Sequence, residues 1–234
     1  MKHYAIIVAG GTGQRMGSAV PKQFLQLGNK PIIAWSIETC IASQLIDTII
    51  IVIHPDYKHQ LEEIISQYCH GTHIIVTHGG QTRQESCFNG LLAYDFANDD
   101  ILLIHDAARP FITVDMITQC IDVAKQYGAC GIYVPVKETI AQVHNETVAA
   151  VLPRQTLYAA QTPQCFRYSI IIDAHKKAHE NNITNATDDV SLVINAGYTV
   201  KAIAGDFYMN IKITTQEDIN FAQLILHSNL KNNV

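Results

Sequence analysis

Apolar residues fall into short, nearly continuous runs separated by longer stretches of helical period. The runs are "YAIIVA" (4–9), "IDTIIIVIH" (46–54), "HIIVT" (73–77), "DILLIHD" (100–106), "GIYVPV" (131–136) and "YTVKAI" (198–203). Several are apolar throughout, which predicts strands covered on both faces. Helical spacing marks "PIIAWSIETCIAS" (31–43), "YKHQLEEIISQYC" (57–69), "TRQESCFNGLLAYDFA" (82–97) and "VDMITQCIDVAKQYG" (114–128), and returns at 168–181, 188–196 and 216–228. Pro31 suits the first position of its helix, and Gly128 suits a C-cap. This alternation predicts an α/β, Rossmann-like, mostly parallel sheet with helices on both faces.

Residues 137–163, "KETIAQVHNETVAAVLPRQTLYAAQTP", break that rhythm. Apolar and polar residues alternate, and "HNET" is placed as a turn. The pattern predicts a β-hairpin that need not lie in the main sheet, a projecting arm over about 137–158. Such an arm often packs on a partner subunit. No repeat or linker divides the chain, so residues 1–234 read as one domain.

Composition narrows the class. Hydrophobic residues make up 48% and charged residues 16%, and the net charge is −5. That suits a soluble globular core and argues against a general nucleic-acid-binding surface. The opening apolar run ends at glycine after six residues, too short for a signal segment or a membrane span. The six cysteines include no C-x-x-C pair and sit mostly in apolar stretches, so buried free thiols in the cytoplasm are expected. The eleven histidines lack zinc-ligand spacing.

"AGGTGQRMGSAVPKQF" (9–24) follows a strand, the place where open α/β sheets bind ligands. A dinucleotide-binding G-x-G-x-x-G starting at Gly11 would need glycine where Met16 stands, and no G-K-[ST] tripeptide exists in the chain. What remains is a loop whose N–H groups can face phosphate, with Arg15 and Lys22 beside it; the alternative is a turn carrying two solvated cations. In "IHDAARPF" (104–111), Asp106 ends an apolar strand. It can hold a magnesium ion, as a lone carboxylate beside substrate phosphates does, or act as a turn residue. Arg109 can reach an anion nearby. His105–Asp106 hints at a hydrolytic triad, but no G-x-S-x-G elbow accompanies it. "HGGQTRQES" (78–86) can read a base edge or serve as an ordinary strand–helix turn, and "NATDDVS" (185–191) can be plain capping by Thr187 or Asp188.

Seven segments in order, "AGGTGQRMGSAVPKQF", "GGQTRQES", "HDAARPF", "VPVKETI", "LPRQTLYAAQTPQCF", "TDDVSLV" and "NIKITT", resemble the 2-C-methyl-D-erythritol 4-phosphate cytidylyltransferase family. They span nearly the whole chain. The resemblance implies a CTP-dependent nucleotidyltransferase of non-mevalonate isoprenoid synthesis, working as a homodimer with a divalent cation such as magnesium. It implies catalytic Arg15, Lys22 and Lys212, with Ala9, Gly10, Gly11, Thr12, Gly13, Gly80, Ser86, Asp106 and Ala107 around CTP. Asp106 would be the metal ligand. Arg109, Thr139, Thr187 and Lys212 would take the polyol phosphate, together with Arg154, which would reach into the other subunit.

The first motif has Gly-Gly where many members have Ala-Ala-Gly spacing, and Glu138 stands where Asp is frequent. Ribitol-5-phosphate cytidylyltransferases share the glycine loop, an "HDA-x-RP" motif and "QTPQ". "HDAARP" with "YAAQTPQ" more closely resembles the methylerythritol branch. Other readings are a purine-using nucleotidyltransferase and a catalytically silent nucleotide-binding regulator, the latter opposed by the joint presence of Lys22, Asp106 and Lys212.

Overall fold

The computed structural model describes residues 1–11, 20–206 and 208–231. The chain opens with β1 (His3–Ala9), a small antiparallel pair, β2 (Gln26–Leu27) and β3 (Lys30–Pro31), and α1 (Ile32–Ala42). Next come β4 (Thr48–Ile53), α2 (Lys58–Tyr68), β5 (His73–His78), α3 (Arg83–Leu91), β6 (Ile101–Asp106), α4 (Val114–Tyr127) and β7 (Ala129–Pro135). The arm strands β8 (Ile140–His144) and β9 (Thr147–Leu152) precede β10 (Tyr158–Arg167), α5 (Tyr168–Glu180), α6 (Asp189–Asn195), β11 (Lys201–Ala204) and α7 (Gln216–Lys231). Among the described residues, one sheet takes the order β11-β7-β10-β6-β1-β4-β5, parallel except for β10.

The apolar runs are continuous because the sheet is buried on both sides. Along β1, Ala5 and Ile7 face one cluster with Ile33 and Ile37 of α1, Leu61 of α2 and Ile117 and Ile121 of α4. Tyr4 and Ile6 face the other, with Cys87 and Leu91 of α3, Ile171 of α5 and Val193 of α6. α7 closes a smaller cluster over Leu27 and Ile32. Gly128 ends α4 at φ 88°, a left-handed cap that suits glycine. All six cysteines are free and buried, as their apolar settings predict.

The hairpin forms as a separate two-stranded sheet, turned at Asn145 and Glu146, both with positive φ, as tight hairpins require. Its Val143, Val148 and Val151 side chains are exposed.

Four expectations need correction. Residues 158–163 belong to the main sheet, because β10 runs antiparallel between β6 and β7. α3 stops at Leu91, not near 97; Phe96 turns back to pack edge-on against Tyr4, ring centroids 4.8 Å apart. Pro31 occupies the cap position, with the helix starting at Ile32. β11 begins only at Lys201, because the Tyr198 N–H turns back to donate to the Val193 carbonyl and close α6.

Candidate active site

The carboxyl ends of β1 and β6 lie side by side and carry the loops starting at Gly10 and Ala107, the crevice where open α/β sheets bind ligands. Gln23, buried in the turn at Lys22–Phe24, donates from Nε2 to the carbonyls of Ala9 (2.7 Å) and Gly11 (3.1 Å). The start of the glycine loop is thereby pinned. Gly10 and Gly79 pass so closely that a Cβ on Gly79 would lie 3.3 Å from the Gly10 Cα. That approach explains glycine at both points.

Ala9, Gly10, Gly11, Lys22, Ser86, Asp106, Ala107 and Lys212 line one cleft of about 250 Å³, beside Arg83 and Gln23. Thr12, Gly13 and Arg15 lie outside the described residues. Gly80 lines an adjoining hollow that shares Gly10 and Gly11 with the cleft and includes His54, Gly79 and Gln81. Its N–H donates to Ser86 Oγ (3.0 Å), and that hydroxyl donates to the Thr82 carbonyl (2.9 Å). Thr82 also caps α3, accepting from the Glu85 N–H, so the glycine turn is at once a strand–helix turn and a wall of the hollow.

On the other side, Arg109, Thr187, Thr162, Gln164 and Asp188 line a cavity that shares Asp106, Lys212 and Arg83 with the cleft. Asp188 caps α6 through its side chain, so the capping reading of "NATDDVS" holds at this residue, while Thr187 faces the cavity. Thr139 and Arg154 line none of these spaces. Both are exposed at the base of the arm, where Arg154 Nη1 donates to the Lys137 carbonyl (2.9 Å).

Asp106 is the hub. Its Oδ2 accepts from Lys212 Nζ (2.7 Å) and faces Arg109 Nε at 3.8 Å, while Oδ1 accepts from Arg83 Nε (3.2 Å). Burial alone would push this carboxyl up; Arg83, then Lys212 and Arg109, outweigh it and hold it well below the usual carboxylate range. Asp106 therefore stays ionised. Lys212 arrives from far along the chain because Asn210, fully buried, donates to the carbonyl of Thr162 (2.8 Å) while its own carbonyl accepts from Arg109 Nη1 (2.7 Å). His105 is buried rather than presented to the cleft. Its ring bonds to the Arg109 carbonyl and to the Thr162 hydroxyl, and burial lowers its pKa to about 4. The hydrolytic-triad reading fails on that placement.

Two residues that the sequence did not single out complete the site. Arg83, in the first turn of α3, bridges Asp106 and Asp189; Asp189 is 1% exposed and also meets His175. "TRQES" carries no spacing signal for this, since Asp189 is 106 residues away.

Among the described residues, no three His, Cys, Asp or Glu side chains group to hold a metal ion by themselves. Asp106 is the one carboxylate lining the cleft among them. A single ionised carboxylate lining a cleft fits magnesium, which takes one or two protein carboxylates and fills its remaining positions with phosphate oxygens and water.

The family model of 2-C-methyl-D-erythritol 4-phosphate cytidylyltransferase (IspD) matches residues 3–228. The chain is 40% identical over 230 residues to a protein of that name from Geobacillus kaustophilus (strain HTA426), covering 98% of this chain and 99% of the relative. It is 42% identical over 229 residues to the namesake from Clostridioides difficile (strain 630), covering 98% and 95%. The crystal structure of 4-diphosphocytidyl-2C-methyl-D-erythritol synthase from Anaerococcus prevotii DSM 20548 superposes with a TM-score of 0.83 at 29% identity, covering 97% of this chain and 98% of that one.

Proposed function

The chain belongs to the 2-C-methyl-D-erythritol 4-phosphate cytidylyltransferase family, and from that premise we infer that it joins CTP to 2-C-methyl-D-erythritol 4-phosphate, releasing pyrophosphate, in isoprenoid precursor synthesis. The observation that carries the reading is Asp106 with Lys212 at the junction of the nucleotide cleft and the cavity containing Arg109 and Thr187. A phosphate of one substrate and the α-phosphorus of the other can meet there.

The acceptor phosphate oxygen attacks the α-phosphorus of CTP, the bond to the β-phosphate oxygen breaks, and pyrophosphate leaves. A phosphate monoester is nucleophilic near neutral pH, so positioning and charge stabilisation carry the rate. Lys22 and Lys212 supply fixed charge in the cleft, and Arg15 is assigned the same task. The backbone of Ala9 to Gly11, continuing to Thr12 and Gly13, cradles the triphosphate. Gly80 and Ser86 flank the cytosine and ribose, and Ala107 lines the CTP cleft. Arg109 and Thr187 receive the acceptor phosphate and hydroxyls. Asp106 would hold magnesium, which, when bound, neutralises phosphate charge.

Arg154 and Thr139, exposed at the arm base, serve a second copy of the chain in this reading; the apolar face of the arm supports a homodimer. Free buried thiols support a cytoplasmic setting, and no helix among the described residues is long and apolar enough to cross a membrane. Pyrophosphate release from CTP, with methylerythritol phosphate and ribitol 5-phosphate offered in parallel, tests the assignment. Turnover confined to the first acceptor is expected; preference for ribitol 5-phosphate would overturn it.

A further inference from the structure

Arg83 stands where the nucleotide cleft and the acceptor cavity meet, yet its firmest contact is with a carboxylate that lines neither. Asp189 Oδ2 accepts from Arg83 Nη1 at 2.7 Å and from Cys87 Sγ at 3.5 Å. Oδ1 accepts from His175 Nε2 at 3.0 Å, and the Asp189 N–H donates to Gln164 Oε1 at 3.1 Å. His175 is itself buried and stacked on Phe88, ring centroids 5.8 Å apart. The Asp189 carboxylate is thus held from α3 and α5, while β10 holds its backbone on α6. A guanidinium is planar, so clamping Nη1 and Nε at two carboxylates also sets its plane.

The far end of this strut meets Asp106 on one oxygen. Lys212 and Arg109 both address Oδ2, whereas among the described residues Arg83 makes the ion pair to Oδ1. Without that second point of attachment the carboxylate can turn about its terminal torsion. Stability alone does not account for the arrangement. Among the described residues Arg83 Nη2 is buried with no acceptor, and packed apolar side chains are often as stable as a buried ion pair. We propose that Arg83, clamped by Asp189 and His175, is a positioning residue that sets the orientation of the Asp106 carboxylate in the nucleotide cleft. The inference rests on the cytidylyltransferase reading for what Asp106 does there.

A double-mutant cycle of Arg83→Met with Asp106→Asn tests it, read as kcat with methylerythritol phosphate and as magnesium–CTP affinity by calorimetry, with melting curves alongside. Beside Asp106, Arg83→Met is expected to lower kcat on the order of 100-fold, the scale of displacing a reacting group by about 1 Å. In the Asp106→Asn background the further loss is expected to stay below about threefold, because the group being oriented is already gone. The affinity cycle shows the same non-additivity. Equal fold-losses in both backgrounds overturn the proposal, since a purely structural role does not depend on the carboxylate. If Arg83→Met melts below the assay temperature, Arg83→Lys replaces it. One ammonium keeps the charge but cannot hold both carboxylates in the guanidinium's geometry, so wild-type kcat in Arg83→Lys also overturns the proposal. Wild-type protein that binds magnesium–CTP without turning over methylerythritol phosphate strikes the function reading, while the affinity cycle still decides the role of Arg83. Wild-type protein that does not bind magnesium–CTP overturns both.

Discussion

Replacing Lys212 by Met separates the chemistry of the site from its stability. Lys212 Nζ sits 2.7 Å from Asp106 Oδ2, but its side chain is 36% exposed, so solvent screens the pair. A screened ion pair contributes up to about 1 kcal/mol. Asp106 would keep Arg83 at 3.2 Å and Arg109 at 3.8 Å, so no buried charge is left alone. The unfolding free energy should therefore fall by no more than about 1 kcal/mol. On the proposed mechanism catalysis loses a fixed charge aimed at the developing phosphoryl charge, a loss of about 3–4 kcal/mol, or 100- to 1,000-fold in kcat. Urea unfolding followed by circular dichroism gives the first quantity, and continuous pyrophosphate detection with CTP and methylerythritol phosphate gives the second. A kcat within tenfold of wild type would refute the role given to Lys212. A loss of stability large enough to empty the folded state would refute the reasoning about its ion pair.

Lys22→Ala is expected to leave the melting temperature unchanged and to cut kcat/KM by more than ~100-fold, measured with the same pyrophosphate assay. Mixed dimers of Arg154→Ala and Lys22→Ala chains should regain activity above both parents, since each dimer would contain one site with both residues intact; no recovery counts against an arm shared between subunits. Asp189 gives a pH signature. Burial would raise its pKa, but Arg83 and the His175 hydrogen bond outweigh it and hold it at about 2, against an ordinary 3.8. The folded value lies below the unfolded one, so the stabilisation is complete above the unfolded pKa and is lost as pH falls toward 2. Its size is about 2 kcal/mol. Urea midpoints of wild type and Asp189→Asn should draw together as pH falls from about 5 through about 2, and a gap independent of pH would contradict this.

Much of the frame was legible because burial on both faces leaves a plain mark: β4 and β6 are buried along their whole length, and their sequences are apolar nearly throughout. Gly128 and the "HNET" turn were legible because their backbone conformations favour particular residues. β10 was missed as a sheet strand for the opposite reason. Its buried stretch includes Gln161, Thr162 and Gln164, whose polar groups are satisfied by Asp206, the Asp106 N–H and α6. These buried positions are polar, so the stretch lacks the continuous apolar run of a strand covered on both faces. Of the candidate site, the cradle, Asp106 and Lys212 lie in motifs that sequence can match. The Arg83–Asp189–His175 contacts were not legible, because they join helices far apart in the chain and depend on how those helices pack. Thr139 and Arg154 sit apart from the cleft of their own chain, where sequence position alone could not place them.

Transfer of a cytidylyl group is tested most directly by following the phosphorus atoms. CTP labelled at the α-phosphorus is incubated with methylerythritol phosphate and magnesium, and the products are followed by phosphorus NMR and chromatography. The label is expected in a diphosphate joining cytidine to the polyol, formed in equal amount with pyrophosphate. Label recovered as free CMP, or release of inorganic phosphate without the joined product, would contradict it.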